Sequence, residues 1–180
     1  MTRHRALIIA ALLLPGLVCA AAEPRLALPD FKELSAKASE SVVITLDASL
    51  LGMATRFMDA DDAEDAAAIA VIKGLRGIYV RSFTFDHDDG YRPADVEFIR
   101  KQLADPAWKR VVETRSKKTH ADVDIYLMTE GAKVNGLVLI ASEPRALTIV
   151  NIVGAIDLEK LRKLEGQFGV PKLDLDAAPP

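Results

Sequence analysis

The densest group of side chains able to do chemistry is Asp86-His87-Asp88-Asp89, followed by Asp95 and Glu97. Carboxylate oxygens at that density are what calcium takes, and Asp86, Asp88, Asp89 and Glu97 are the residues that would hold it. Counted from Asp86, Glu97 takes the twelfth place of an EF-hand loop, but Gly90 takes the fifth, where an oxygen ligand belongs. The simpler reading is a polar turn between a strand and a helix, whose acids favour the positive end of that helix.

Other chemistry is sparse. Beyond His4 the histidines are His87 and His120, and no HExxH or CxxC pattern occurs. Asp122 or Asp124 could orient His120 as a base, yet it sits in Thr119-His120-Ala121, read as an exposed turn between strands. The GxSxG elbow that presents a serine nucleophile is absent. Gly74-Leu75-Arg76-Gly77 follows a helix and precedes a strand, the reverse of a phosphate-binding loop. Asp59, Asp61, Asp62, Glu64 and Asp65 read as a solvated helix start, with an acidic docking face for a basic partner as the alternative. Arg110, Arg115, Lys117 and Lys118 lack the stacking aromatics of a nucleic-acid surface, and Trp108 reads as a packing anchor. No catalytic residue or cofactor is assigned.

The N-terminus indicates the compartment. Arg3 and Arg5 precede the apolar stretch Ala6–Leu14, a Pro15-Gly16 break and Ala20-Ala21-Ala22, the layout of a signal peptide over residues 1–22. Nine apolar residues are far short of the roughly 20 that span a bilayer as a helix. Cleavage after Ala22 would leave 158 of the 180 residues and remove Cys19, the single cysteine. Val18 stands where a lipoprotein signal wants a small residue, so lipid anchoring at Cys19 is the lesser alternative. Without Cys19 there is no disulfide, thiolate nucleophile or cysteine-bound metal. The whole chain carries 23 basic and 26 acidic residues. Losing Arg3 and Arg5 makes the exported form more acidic still, which argues against nucleic acid as a partner. With half its residues hydrophobic, 27% charged and a mean hydropathy of +0.14, the whole chain is globular in composition. The expectation is a periplasmic protein with no transmembrane helix after signal removal.

The elements that would position these groups follow from periodicity. Asp30 is expected to cap a short helix through Leu34 and Ala38, and Val42–Leu46 reads as a buried first strand. Asp47 should cap a helix with Leu50, Ala54, Phe57 and Met58 at helical spacing, and a second helix should run from about Asp61 to Lys73. Ile78–Phe85 alternates as a strand, and Pro93 opens a helix with Val96, Ile99 and Leu103 on one face. Strands are expected at Arg110–Thr114, Val123–Met128, Val134–Ala141 and Leu147–Val153, joined by links short enough to require antiparallel neighbours. A Gly154 turn and a last helix capped by Asp157 follow. The fold class is α/β (α+β). One two-layer domain over residues 23–170 has a mixed sheet of about six strands and helices mainly on one face, with a polar tail at 171–180.

Four blocks carry a family resemblance: Val43-Ile44-Thr45-Leu46 with Leu50-Leu51, Gly77-Ile78-Tyr79-Val80-Arg81, Trp108-Lys109-Arg110-Val111-Val112, and Val150 to Leu158. Over roughly residues 28–170 the chain resembles the bacterial envelope family known as domain of unknown function 4252. The resemblance implies a small secreted or lipid-anchored α/β domain with no agreed catalytic residues, whose genes keep company with those of sigma and anti-sigma factors. The resulting expectation is a non-enzymatic domain that binds another envelope protein or assists envelope stress signalling. The alternative is an enzyme with a small-ligand or calcium site.

Overall fold

The computed structural model describes residues 24–157. The signal peptide expected over residues 1–22, the helix expected after Asp157 and the tail expected at 171–180 lie outside the described residues.

The chain runs α1 (Lys32–Lys37), β1 (Glu40–Asp47), α2 (Ala48–Ala54), a 3-10 turn (Thr55–Phe57), α3 (Ala63–Ile72), β2 (Leu75–Thr84), α4 (Pro93–Gln102), β3 (Trp108–Arg115), β4 (Asp122–Glu130), β5 (Lys133–Glu143) and β6 (Ala146–Ile156). The six strands form one sheet in the order β1-β2-β6-β5-β4-β3. The meander expected of the last four strands is present. The single α/β domain stands, with two differences in detail.

First, all five pairings are antiparallel, so the parallel pairing that would make the sheet mixed is absent. The cause is the link between β1 and β2. Two successive helices carry the chain out and back, returning it to the end it left, where Asp47 faces Gly77. The single helix α4 does join two strands of like direction, β2 and β3. These lie at separated positions in the sheet, with β6, β5 and β4 between them.

Second, helices cover both faces, giving three layers rather than two. Along β5, Val138 and Ile140 pack with Leu34 of α1 and with Val96 and Ile99 of α4. The alternate residues Leu137 and Leu139 pack with Leu51 of α2 and with Ala68 and Val71 of α3. Period-two alternation sends these two sets to opposite sides. The α4 side holds fully buried Phe83, Ile99, Leu147 and Ile149, each contributing about 1.5–3 kcal/mol by burial. Trp108 lies in this core as an anchor, and its ring fits because position 136 is glycine, where a Cβ would come within 2.9 Å of it.

Local signals explain most helix starts. Asp47 accepts a hydrogen bond from Leu50 N at 2.9 Å, and Asp62 accepts from Glu64 N and Asp65 N, each satisfying otherwise unpaired first-turn amides. Asp30 does not cap α1. Phe31 takes the cap position at φ 48°, and Asp30 instead pairs with Lys32 at 3.1 Å. Gly154 is not a turn either. It sits inside β6 at φ 128°, opposite Leu75, where the β2–β6 register shifts.

The expectation for β1 also fails. It is a strand, but an exposed one at the sheet edge, with Val43 55% accessible and Val42 and Ile44 also exposed. A run of β-branched residues suits a strand equally well at an edge or in the middle, and only the strand order decides which faces are covered.

Candidate functional site

Beyond the core, the described residues present a polar cleft, a buried ion network and an exposed apolar surface.

The cleft has a volume of about 400 Å³ and is lined by Asp88, Asp89, Tyr91, Pro93, His120, Glu143 and Pro144. It joins the acidic loop after β2 to the β3–β4 turn that carries His120, two segments the sequence reading treated separately. Asp89 and His120 both adopt left-handed backbone conformations, at φ 60° and 54°. Tyr91 donates from its hydroxyl to the Glu143 carbonyl at 2.8 Å, and burial pushes its phenol above the usual range. Asp88 accepts from Arg145 Nε at 2.6 Å, which holds that guanidinium more firmly protonated than usual. The carboxylate is therefore already engaged.

Of the calcium candidates, Asp88 and Asp89 line the cleft, Asp86 is exposed in the preceding bend, and Glu97 is exposed on α4. Among the described residues no group of three His, Cys, Asp or Glu side chains is placed to hold a metal ion. Gly90, the misfit of the EF-hand count, is buried against Phe85, where a Cβ would fall 2.2 Å from the ring. The loop is thus shaped by packing at that point.

The ion network centres on Asp124, only 1% exposed on the sheet face beneath α4. Arg115 Nη2 lies 2.7 Å from Asp124 Oδ1, Arg100 Nη2 of α4 lies 3.4 Å from Oδ2, and Arg110 Nη1 lies 3.6 Å from Oδ1. Glu113 pairs with both Arg110 and Arg115, and Asp122 lies 3.7 Å from Arg115 Nε. Burial works against the charge on Arg115, but the hydrogen bond and charge of Asp124 outweigh it and hold the guanidinium above its ordinary value. Three arginines against three carboxylates leave no surplus charge to attract an anion. Asp122 and Asp124, considered from sequence as orienters of His120, serve these arginines instead.

A second buried polar group was also missed. Asn151, fully buried, accepts from Leu26 N at 2.9 Å and donates to the Pro24 and Leu137 carbonyls. Gln102 of α4 exchanges bonds with Ala27, so Pro24–Leu28 is strapped to the fold at two points.

The apolar surface lies on the other side of the sheet. Leu50, Met53 and Phe57 recur at i, i+3 and i+7 along α2 and its 3-10 extension, and all three are exposed, Phe57 to 86%. Leu50 and Phe57 belong to the helical repeat expected from sequence together with Ala54 and Met58; Met53 lies outside that repeat. Leu51, between them, is the residue of α2 that enters the core. Immediately beyond come Asp59, Asp61, Asp62, Glu64 and Asp65. Within this group Asp65 accepts from Asp59 N, Asp59 accepts from Asp61 N, and Asp62 caps α3. An exposed apolar stripe is thus followed along the chain by a run of carboxylates, of which Asp59, Asp62 and Asp65 are held by ordinary loop and cap contacts. Such a surface can bury apolar area and select a partner by charge, but it carries no nucleophile or acid–base pair.

A family model described as a domain of unknown function (DUF4252) matches residues 35–164, from within α1 to beyond β6. No curated protein matches the chain closely enough to count as a relative. No helix among the described residues is long and apolar enough to cross a membrane.

Proposed function

We propose, from the premise that this chain belongs to the DUF4252 family, that it is an exported, periplasmic, non-enzymatic domain that binds another envelope protein. Its partner presents an apolar patch rimmed by basic residues. The observation that carries this reading is the exposed stripe Leu50, Met53 and Phe57 beside the Asp59–Asp65 carboxylates. Large exposed apolar side chains lose by contact with water and gain by being covered, while the acidic run supplies steering and register. The N-terminal leader motivates export, and a role in envelope stress signalling is the setting the family resemblance suggests. The test is affinity capture from lightly crosslinked envelope with the wild-type chain and the double variant Met53→Ser, Phe57→Ser. The partner should be retained by the first and lost by the second. Equal capture by both, with both folded, would refute the assignment of the surface.

A second reading, a small-ligand site, draws on one observation: the cleft gathers Asp88, Asp89, His120 and Glu143 from three separate segments. A ligand there would be cationic or rich in hydroxyl groups, matching the acidic lining. Thermal-shift measurement with calcium and a panel of polyols and amines tests it, since a bound ligand raises the melting temperature by mass action. No shift with any of them would remove this reading.

A further inference from the structure

We infer that the edge of β1, unpaired among the described residues, pairs, antiparallel and across a two-fold axis, with β1 of a second copy of this chain, joining two six-stranded sheets into one. This goes beyond the proposed function and uses a different surface from the α2 stripe.

The two edges of the sheet are built differently. β3 bears Lys109, Arg110, Glu113 and Arg115, and its register shifts between Arg110 and Val112 with Val111 turned out to solvent. Charges and a bulge are the devices that stop an edge strand from recruiting another chain. β1 has neither. Between Glu40 and Asp47 runs Ser41-Val42-Val43-Ile44-Thr45-Leu46, uncharged and free of proline and glycine, in unbroken register with β2 over eight residue pairs. Arg81 of β2, which faces Val43 in the register, is turned back onto the Ile44 and Val80 carbonyls and the Thr45 hydroxyl.

Hydrogen-bond parity fixes which backbone groups the edge offers. Phe85 N donates to Arg145 O at 2.8 Å, extending the register in which Thr84 faces Ala146. Odd-numbered residues of β2 therefore bond towards β6 and even-numbered ones towards β1. Because β1 pairs even with even, Val42, Ile44 and Leu46 bond to β2. The N–H and C=O groups of Ser41, Val43 and Thr45 point outward.

A two-fold axis makes the pairing antiparallel and self-complementary, and outward groups must meet outward groups, so odd residues face odd residues. That excludes the one register that would set Glu40 against Asp47. Centred on Ile44, the pairing sets Ile44 against Ile44, Val42 against Leu46, Val43 against Thr45 and Ser41 against Asp47. No like charges meet, the Ser41 hydroxyl can donate to the Asp47 carboxylate, and the apolar residues line up on the face shared with α2 and α3. A second copy thus satisfies both the hydrogen-bonding and the charge pattern of the edge.

The test is sedimentation velocity over a concentration series, with circular dichroism to verify folding. The wild-type chain should show a concentration-dependent dimer. Ile44→Lys and Ile44→Glu, at a position already exposed, should each be monomeric because two like charges would meet on the axis. Their equimolar mixture should recover the dimer. Independently, Ile44→Cys in a Cys19→Ser background should form an intermolecular disulfide, because residues facing each other at a non-hydrogen-bonded pair lie within disulfide reach. A wild-type monomer at every concentration up to the solubility limit would overturn the inference. So would a dimer that persists in both charged variants, or an Ile44→Cys variant that dimerises without crosslinking. None of these outcomes depends on the α2 stripe, so failure here leaves the proposed function standing.

Discussion

Gly74 and Gly154 meet back to back where α3 turns into β2. Ala155 N donates to Gly74 O at 2.8 Å, and a Cβ on Gly154 would lie 2.5 Å from that same oxygen. With φ at 128°, position 154 is also in a region that side chains rarely adopt. Gly154→Ala should therefore destabilise the fold by about 2 kcal/mol or more, read as a lowered urea midpoint. A midpoint within error of wild type would show that the junction relaxes freely.

The Asp124 network should be structural. Asp124→Ala would leave Arg115, Arg110 and Arg100 facing each other beneath α4 without their shared carboxylate. Stripping one partner from a buried pair costs roughly 3–5 kcal/mol, and the partial exposure of these arginines puts the expectation near the lower end. Equilibrium unfolding measures it, and a loss well under ~1 kcal/mol would mean that solvent takes over the carboxylate's role.

What the sequence made legible, and what it hid, divides along the range of the interactions. The Asp47 cap, the acidic start of α3, the Pro93 start and the Val96, Ile99, Leu103 stripe are decided within a turn or two of helix, and all are as expected. The final meander is decided by short links. Burial of β1 is not, because Val42–Leu46 reads the same whether the strand is central or at the edge, and the order of strands is a long-range property. The cleft joins Asp88 to His120 through that same order. Asp124 and Asn151 do carry a signal in the sequence. Each is a polar residue on the core-facing parity of its strand, in step with Tyr126 and Met128 or with Leu147 and Ile149. A polar group at such a position has to find buried partners.

Acid should weaken one helix start in a defined way. Asp95 accepts from Arg92 N at 2.8 Å and pairs with the Arg92 guanidinium at 2.8 Å, and these contacts hold its carboxyl below the usual range. A folded-state value below the unfolded one, which lies near ~3.9, means that the stabilisation is complete above that pH and is lost as pH falls through the folded value. Asp95→Asn should cost about 1 kcal/mol at neutral pH, and the gap to wild type should close below about pH 4. A gap that stays constant into acid would show that the charge plays no part.

The export reading makes a prediction about mass. Protein recovered from the envelope fraction should begin at Glu23, because cleavage after Ala22 removes the leader together with Cys19. Intact-mass spectrometry decides between this form and a chain beginning at an acylated Cys19. Recovery of the full 180 residues from the cytoplasm would defeat the reading.

The central claim is that the α2 surface is covered by another protein in the envelope. Its most direct test is a photoreactive phenylalanine analogue introduced in living cells at Phe57, with the same analogue at exposed Phe98 on the opposite face as the comparison. The account predicts one discrete, reproducible crosslinked protein from position 57 that is absent from position 98. The same crosslinking pattern from both positions, or none from position 57 in correctly exported protein, would contradict it.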